Sequence, residues 1–588
     1  MVVAPERLPG AAIEAAEWAV PSRGSTFLFA AKVAAHRARR LLADLVSGPR
    51  RWGKADGGAF SVALGESATP LWGEERPEER AYQLGKVQNL RRATAALDGV
   101  VVPAGQVFGF WKQIGRASRG RGFVTGRMLQ QGCLVPATGG GLCQLSNAIY
   151  AAALQAGCDI VERHAHSRIV AGSAAAAGRD ATVAWNYVDL RFRPRSPLRI
   201  EARLTRDELV IRLCGEPGSQ PAGRLPDPVP ATPPTIARSC ATCGEVSCFR
   251  HEHRPGAAEA GRTVYLVDEN WPEFQEYVGR QHRPEDVFGQ PIDGARWRLP
   301  RYDWHARGYR RIGSAPLQTL TRMVAIRRAP AQGAARRGAE LRGAERIARR
   351  LARLLTPDAT RVCVAQSLLP FLWQDGHLGG REVAVLMTRL PMAELHARLD
   401  RAHLAHPERA TLGDFRATPA LVAAETEALA YAAQVITPHK DIARLFPGKA
   451  LVLDWTLPKA RSVMRQPSRR IAFPGPTVAR KGAYALREAA RALGLELVAL
   501  GGELEGPGFW GDVVMTKPVE AADWLGMVAA VVQPAIVEER PRVLLQALAA
   551  GVPVIATPAC GLGVQPGVSL VPPDDVPALI DALRSVTG

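Results

Sequence analysis

Short apolar runs alternate with helical segments along the second half of the chain. Strands that are apolar along their whole length are buried on both faces, which is typical of parallel sheets covered by helices. The pattern predicts an α/β architecture with two doubly wound parallel-sheet domains. The predicted strands lie at 263–267, 361–365, 383–387 and 433–437, and then at 470–475, 496–500, 528–534 and 552–557.

The first half of the chain mixes two periods. Helical periodicity and strand-like alternation follow one another, so this part is predicted to be an α+β domain. Before it, a basic amphipathic segment at 30–46 predicts a helix that docks either on this domain or on a membrane surface. The main segments are helices at 79–97 and 142–155 and strands at 106–110, 182–192 and 200–214.

Prolines separate the two halves. Seven prolines fall between residues 215 and 236, a density that excludes helix and central strand. The chain is therefore predicted to be a multidomain protein. Its segments are an N-terminal extension (1–75), an α+β domain (76–215), a proline-rich linker (216–258) and two doubly wound domains (259–460 and 461–588).

Length and charge limit the classes of protein that fit. The 588 residues exceed one hydrophobic core, at about 150 residues per domain. No apolar run approaches the roughly 18 residues of a membrane helix, and no signal peptide is evident, so a cytoplasmic protein is expected. The net charge of +19 suits phosphorylated substrates or peripheral membrane contact through basic segments. Nucleic acid is not an expected partner, because no nucleic-acid-binding module is visible.

A glycine turn leads to a cysteine at the start of a predicted helix. Glycines occupy 139–141, Cys143 follows, and His164 and His166 come about one helix later. A helix N-terminus favours a thiolate, and a nearby imidazole can act as its base or ion-pair partner, so these three residues are candidate catalytic groups. Asp180 either orients the histidines or is an ordinary surface residue. Alternatively, Cys143 is a buried cysteine packed behind the turn.

Several motifs around this cysteine follow one another in a fixed order, and together they resemble the VanW family over residues 80 to 215. The resemblance implies a domain of the kind found in glycopeptide-resistance gene clusters, and it implies no substrate. The motifs are Gly85-Lys86-Val87-Gln88-Asn89-Leu90, the segment 102–110, the segment 139–150, Glu162-Arg163-His164 and the segment 178–183.

Two strand–loop–helix motifs lie near the C-terminus. The start of a helix that follows a strand is a ready-made phosphate site. Pro541 suits a first helical position, and Gly551 suits a helix exit. The first motif runs from the strand at 471–473 through Pro474-Gly475 and Lys481 into a helix at 483–493, and the second runs from the strand at 529–533 through Glu538 into a helix at 542–550.

Together these two motifs resemble the donor domain of GT-B glycosyltransferases that use nucleotide sugars, most clearly over residues 465 to 588. The resemblance implies that Lys481 contacts the donor diphosphate, that Glu538 contacts the donor sugar and that Gln546 holds the nucleotide ribose. Gly475 belongs to the same donor-binding set. Residues 259–460 would then form the acceptor domain.

Three positions depart from the pattern of that family. Pro476 stands where arginine is common, Glu539 where glycine is common, and Gln546 where a second glutamate is common. Proline cannot contact phosphate, and Gln546 hydrogen-bonds a hydroxyl without carrying charge. Arg480 or Arg540 is a candidate replacement for the missing cation. The departures leave open a degenerate domain that binds nucleotide without transferring sugar.

A cysteine and histidine cluster lies in the linker. Cys240, Cys243, Cys248 and His251 supply thiolate and imidazole ligands within one short segment. Such a set suits tetrahedral zinc first and an iron–sulfur cluster second. The alternative is a group of reduced thiols or a redox-active pair.

The sequence thus predicts a glycosyltransferase that moves a sugar from a nucleotide sugar to a cell-envelope or other glycan acceptor. Two alternatives remain open at this point. One is a non-catalytic scaffold that binds glycans or nucleotides, and the other is a separate thiol-dependent activity in the VanW-like domain.

Overall fold

The chain folds as two compact units, unit 1 (Met1–Ala260) and unit 2 (Gly261–Gly588). The division into five segments stays a prediction. Within the part of the chain that the structure describes, no helix is both long and apolar enough to cross a membrane. The structure is a computed structural model, and it describes residues 22–55, 57–73, 79–130, 133–166, 180–220, 238–239, 243, 245, 247–250, 261–459, 468–516 and 524–587.

Unit 1 is an α+β fold, as predicted. Its elements in chain order are α1 (Arg23–Ser47), β1 (Val62–Pro70), α2 (Arg80–Leu97), β2 (Val101–Val102), β3 (Phe108–Gly109), α3 (Phe110–Ile114), β4 (Thr125–Gln130), β5 (Cys133–Thr138), α4 (Leu142–Gln155), β6 (Asp159–Glu162), β7 (Arg191–Arg193), β8 (Leu198–Leu204), β9 (Glu208–Gly215) and β10 (Arg238–Ser239).

An antiparallel sheet with the order β1-β9-β8-β2 forms the base of unit 1. Helices α2 and α4 pack on it, and the contact buries Leu90, Leu145, Ile200 and Ile211 completely. These apolar positions recur at helical spacing in the helices and at every second residue in the strands, which is the pattern that buries one face of each element. Two smaller groups of strands, β10-β5-β4 and β3-β7-β6, complete the described part of unit 1.

The predicted strand at 182–192 is wrong over most of its length. Only the short strand β7 forms at its end, and a turn occupies 185–187. The side chain of Asp189 accepts a hydrogen bond from the backbone N–H of Trp111, and Trp111 Nε1 donates to the carbonyl of Val188. These side-chain contacts hold the segment against α3, so its alternating aromatic residues serve packing rather than strand pairing.

Helix α1 begins earlier than the amphipathic pattern predicts, because Ser22 caps it with a capping box. Its arginine and aspartate side chains pair with unit 1, since Arg40 bonds Glu162 and Asp44 accepts two hydrogen bonds from Arg191. The expected docking of this helix on the first domain is therefore confirmed.

Unit 2 consists of two parallel sheets covered by helices. Its elements are β11 (Arg262–Leu266), α5 (Pro272–Gln281), β12 (Val287–Gln290), α6 (Gly294–Trp297), β13 (Arg311–Ser314), α7 (Pro316–Arg328), α8 (Ala334–Leu351), β14 (Ala359–Ala365), α9 (Leu369–Gln374), β15 (Glu382–Leu386), α10 (Met392–Ala405), α11 (Pro419–Tyr431), β16 (Gln434–Thr437), α12 (Lys440–Arg444), β17 (Ala450–Val452), β18 (Arg470–Phe473), α13 (Ala483–Leu493), β19 (Glu496–Ala499), β20 (Ala530–Gln533), α14 (Arg542–Ala549), β21 (Val554–Ala556), β22 (Val568–Leu570) and α15 (Val576–Thr587).

Every strand predicted in this half is present, so the doubly wound prediction is confirmed. Alternate residues of one strand enter the cores on opposite faces of the sheet. Val264 and Leu266 face one core while Tyr265 faces another, and Ile471 and Ala472 divide in the same way. Burial on both faces explains why the strands are continuous apolar runs.

The strand orders contain two topological switch points. Among the described residues the first sheet runs β13-β12-β11-β14-β15-β16-β17, and the second runs β19-β18-β20-β21-β22. The order reverses between β11 and β14 in the first sheet and between β18 and β20 in the second. Ligands of open parallel sheets bind at the carboxyl ends of the strands beside such a point.

Candidate functional site

Cys143 of unit 1 is the second residue of α4, directly after the glycine turn. Gly141 caps the helix at φ +96°, a conformation that side-chain-bearing residues rarely adopt. A Cβ at this position would also lie 2.3 Å from Cγ of Lys86. The side chain of Asn89 holds the turn in place, because its Nδ2 donates to the carbonyls of Val124 and Gly140 at 3.0 and 2.9 Å.

The thiol of Cys143 lies beside the imidazole of His166, which in turn contacts Asp180. His166 Nδ1 lies 2.5 Å from Asp180 Oδ1, and the His166 backbone N–H donates to the second oxygen of the same carboxylate. Because Asp180 engages Nδ1, Nε2 is the nitrogen available to the sulfur. The order of groups is therefore thiol, imidazole and carboxylate.

Electrostatics favour a thiolate–imidazolium pair at this position. Burial opposes ionisation of Cys143, but the hydrogen bond and positive charge of His166 outweigh it and hold the thiol pKa below its usual value. Burial alone would lower the pKa of His166, but Asp180 and Cys143 raise it to about 10. Three other cysteines differ, because burial raises the pKa values of Cys158, Cys363 and Cys560 to about 12.

Two further residues of α4 hold the segment that begins with Asp180. Ser146 Oγ donates to the Ala181 carbonyl at 2.5 Å, and Asn147 Oδ1 accepts from the Ala181 N–H at 2.8 Å. Thr182 Oγ1 lies 3.6 Å from the Cys143 sulfur. One helix thus carries the thiol and anchors the chain that supplies the carboxylate.

The second histidine of the motif lies elsewhere. His164 Nε2 is 3.2 Å from Glu162, and about half of its side-chain surface is exposed. His166, rather than His164, is the histidine that the fold brings to Cys143.

In unit 2, a polar cluster around the carboxylate of Glu538 lies at the switch point of the second sheet. Glu538 follows β20, and its Oε2 accepts hydrogen bonds from Lys481 Nζ at 2.8 Å and from Gln533 Nε2 at 2.6 Å. Its Oε1 accepts the backbone N–H groups of Glu539 and Arg540 at 2.9 and 2.8 Å. Both carboxylate oxygens of Glu538 are therefore fixed by donors.

The Glu538 carboxylate is ionised although it is buried. Only 7% of the residue is exposed, and burial alone would raise its pKa. The charge and hydrogen bond of Lys481 reverse this effect and hold the pKa of Glu538 below its usual value. Ion-paired, multiply bonded carboxylates remain negative at neutral pH for this reason.

Of the other predicted donor-site residues, Gly475 lies beside this cluster. A Cβ at Gly475 would lie 3.2 Å from Gln533 Nε2 and 3.4 Å from Lys481 Cγ, so the loop after β18 passes close to the cluster. Gln546 lies on α14 with an exposed side chain. Glu539, which stands where the family commonly has glycine, pairs with Arg389 at 3.1 Å, and this pair neutralises its carboxylate.

Both arginines proposed as substitute cations already have partners. Arg480 stacks on Phe415 with its Cζ 4.2 Å from the ring centroid. Arg540 bonds Glu269 at 3.1 Å and lies over the ring of Trp271. The sequence pattern did not predict these pairings, because Phe415, Glu269 and Trp271 lie in loops that join elements of the other parallel sheet of unit 2.

The carboxyl edges of the two sheets face each other across this cluster. Glu269 follows β11 and Arg389 follows β15, and both reach residues of the loop after β20. His439 follows β16, and its Nε2 lies 3.0 Å from the Glu538 carbonyl. Burial lowers the pKa of His439, so this imidazole is neutral.

The predicted metal ligands are only partly described. Cys243 is half-buried and Cys248 is buried, whereas Cys240 and His251 lie outside the described residues. Among the residues that the structure describes, no group of three or more histidine, cysteine and acidic side chains could hold a metal ion. The zinc site, like the iron–sulfur alternative, stays a prediction.

Two family models match the parts of the chain that contain the Cys143 group and the Glu538 cluster. Residues 85–214 match the family model described as VanW like protein, and residues 468–587 match the one described as Glycosyl transferases group 1. The chain joins a VanW domain to a group 1 glycosyltransferase domain. Cys143 and His166 lie inside the VanW domain, and Lys481 and Glu538 lie inside the glycosyltransferase domain.

Individual relatives match parts of the chain. The uncharacterized protein YoaR of Bacillus subtilis is 33% identical over 127 residues, which are 21% of this chain and 41% of that protein. The vancomycin B-type resistance protein VanW of Enterococcus faecalis is 27% identical over 170 residues, which are 26% of this chain and 61% of that protein. The chain therefore spans less than two thirds of the length of these two curated relatives.

Solved glycosyltransferase structures are similar to part of the chain at low identity. A sucrose-phosphate synthase from Thermosynechococcus elongatus is 16% identical, with a TM-score of 0.36, and the match covers 55% of this chain and 89% of that one. The lipopolysaccharide outer core galactosyltransferase WaaB is 14% identical, with a TM-score of 0.32, over 55% of this chain and 90% of that one.

The motifs predicted both candidate sites but not all of the residues around them. In the VanW domain, the supporting contacts of Asn89, Ser146 and Asn147 were missed, although all three stand inside the VanW-like motifs. In the glycosyltransferase domain, Gln533 was missed because it reads as the last residue of an apolar strand. A polar residue at the end of a buried parallel strand is the signal that could have found it.

Proposed function

We propose that unit 2 transfers a sugar from a nucleotide sugar to a cell-envelope or other glycan acceptor. The observation that carries the proposal is the Lys481–Glu538–Gln533 cluster at the switch point of a group 1 glycosyltransferase domain. Ligands of doubly wound sheets bind at that point.

The roles follow from charge and position. Lys481 is the cation of the cluster, and we propose that it holds the donor diphosphate. Glu538 is a fixed, ionised carboxylate, and we propose that it contacts the donor sugar. Gln546 is exposed on the next helix, where its amide can hydrogen-bond a ribose hydroxyl. Gly475 lets the loop after β18 approach the phosphates without a side chain in the way.

The acidic neighbour of Glu538 does not argue against a diphosphate. Glu539 is paired with Arg389, so its charge is compensated within the cleft. This pairing supports donor binding at this position, because an unpaired carboxylate would repel the diphosphate.

A thermal-shift screen of nucleotide sugars tests the donor site. We expect one donor class to raise the melting temperature of the wild type. The same donor should leave the melting temperature of Lys481→Ala unchanged, because the substitution removes the cation that holds the diphosphate. At a ligand concentration of 100 times Kd, binding adds about 2.7 kcal/mol to stability, which is easily measured. The control is Lys459→Ala, since Lys459 is an exposed lysine of the same unit. Equal shifts in Lys481→Ala and the wild type would contradict the assignment.

We also propose that α1 lies against an anionic membrane surface. Its apolar side chains Leu45 and Val46 are 82% and 90% exposed, and Phe27 is 78% exposed. Arg40 and Asp44 pair with unit 1, so these apolar residues project elsewhere. The net charge of +19 favours anionic lipids over zwitterionic ones.

Vesicle co-sedimentation measures this contact. We expect the wild type to bind phosphatidylglycerol vesicles, and we expect Leu42→Glu with Leu45→Glu to bind at least about tenfold more weakly, since burying two leucines contributes about 3 kcal/mol or more. Phosphatidylcholine vesicles provide the charge control. Unchanged binding by the double variant would assign any membrane contact to another segment.

A further inference from the structure

We propose that Cys143, His166 and Asp180 form a second active site, in which the thiol takes the acyl group of an amide through a thioester intermediate. This activity belongs to the VanW domain and is independent of sugar transfer. The proposal rests on three side chains that the fold brings together from separate positions of the segment 143–180.

The geometry gives each group a distinct position. The thiol of Cys143 interacts with the side chain of His166 and lies 3.6 Å from Thr182 Oγ1, and His166 Nδ1 lies 2.5 Å from Asp180 Oδ1. A carboxylate on the far nitrogen fixes the tautomer and ring orientation of a histidine that serves a nucleophile. Asp180 is a positioning residue in this arrangement, since it acts through His166. Ser146 and Asn147 hold it by binding the next residue, Ala181.

The thiol differs from a structural cysteine in both exposure and environment. Cys143 is partly exposed, whereas Cys158, Cys363 and Cys560 are buried. It also lies in the first turn of α4, where the N–H of Gln144 donates to the Gly141 carbonyl but the N–H groups of Leu142 and Cys143 precede the i→i−4 hydrogen bonds of the helix. These N–H groups can hold the oxyanion of a tetrahedral intermediate beside the sulfur.

The reaction balances with water as the only co-reactant. The Cys143 thiolate attacks the amide carbonyl carbon and forms a C–S bond. The C–N bond then breaks as His166 donates its Nε2 proton to the leaving amine. In the second half, His166 takes a proton from water, the hydroxide oxygen attacks the thioester carbonyl, and the C–S bond breaks to restore the thiolate and the imidazolium. An amine acceptor in place of water would give a transpeptidation.

An amide is the substrate class that this pair fits best. Amine leaving groups need a proton, and His166 carries one below about pH 10, so the proton donor is present at neutral pH and is lost as the pH rises through that value. The imidazolium also holds the thiol pKa below its usual value, which favours the attacking thiolate.

Alkylation of the intact chain with iodoacetamide tests the thiolate. We expect peptide mass spectrometry to find Cys143 modified first, with the midpoint of its rate profile below the midpoint of ordinary thiols near pH 8.5. His166→Gln should slow this labelling at neutral pH by about tenfold or more. Asp180→Asn should move the profile of the rate to higher pH without removing the final plateau. A wild-type profile with an ordinary thiol midpoint, or equal labelling of every accessible cysteine, would overturn the proposal.

Acyl transfer is tested with p-nitrophenyl acetate. The expected product is an acetyl thioester on Cys143 that hydroxylamine removes, formed about a hundredfold more slowly in His166→Gln and not formed in Cys143→Ala. Cys158→Ser is the matched thiol control, and it should keep the wild-type rate. An equal loss in His164→Gln would overturn the choice of His166. Alkylation without acylation would overturn the acyl-transfer step, and neither result depends on whether unit 2 binds a nucleotide sugar.

Discussion

Replacing Glu538 with glutamine is expected to lower the rate of sugar transfer by about a hundredfold or more, the usual effect of removing a preorganised charge from a transition state. Positive charge develops on the sugar as its bond to the diphosphate breaks. Under the proposed function, the Glu538 carboxylate faces this charge, and it is held by Lys481 and Gln533 on one oxygen and by two backbone N–H groups on the other. A glutamine carries an NH₂ group that must meet donors on either side, so it loses hydrogen bonds as well as charge.

The measurement is the release of nucleoside diphosphate from the donor that the thermal-shift screen identifies. Glu539→Gln is the matched control, because it removes the neighbouring carboxylate, which pairs with Arg389 outside the cluster. We expect its rate to stay within about tenfold of the wild type, which is far less than the loss in Glu538→Gln. If both variants turn over at the wild-type rate, Glu538 does not contact the reacting sugar.

Removing the carboxylate of Asp268 is expected to destabilise unit 2 by about 3 to 5 kcal/mol, because it leaves a buried guanidinium without its partner. Asp268 follows β11 and accepts hydrogen bonds from Arg322 at 3.0 and 2.7 Å and from Ser367 Oγ at 2.7 Å. The residues Asp268 and Arg322 are 9% and 7% exposed. Burial disfavours the charge of Asp268, but Arg322 outweighs it and lowers the carboxyl pKa.

Equilibrium urea denaturation of Asp268→Ala measures this effect, with hydrogen exchange in β11 and β14 identifying the transition of unit 2. Because the folded pKa of Asp268 is depressed, its contribution to stability is present at neutral pH and is lost as the pH falls into the acid range. The control is Glu276→Ala, which removes the exposed partner of Arg280 and should change stability by less than about 1 kcal/mol. Substituting both members, Asp268→Leu with Arg322→Met, should recover most of the loss. A small effect in Asp268→Ala would mean that water reaches the pair.

The sequence predicted the parallel strands of unit 2 well because each is an apolar run buried on two faces. It missed β12, β13, β17 and β22. Gly289 interrupts β12, and the other three are short edge strands with exposed residues, so none of the four has that signature. The segment 182–192 misled in the opposite direction, since its aromatic and β-branched residues alternate without forming a ladder.

The same contrast holds at the sites. The glycine turn and the helix start predicted the position of Cys143, because both are local properties of the chain. The selection of His166 over His164 was beyond the sequence, since it depends on where Asp180 lies after folding. Likewise, the motifs supplied Lys481 and Glu538, but the pairing of Glu539 with Arg389 joins two sheets and has no local signal.

Cys143, Ser146 and Asn147 are spaced by three and four residues, so they project from neighbouring positions on one face of α4. A displacement of this helix therefore moves the nucleophile and the anchor of the carboxylate segment by the same amount. Small movements of the sheet beneath α4 therefore leave the distance between the thiol and the carboxylate unchanged. Substitutions in the surrounding loops can therefore change which acyl donor is accepted without changing the arrangement of the reactive groups.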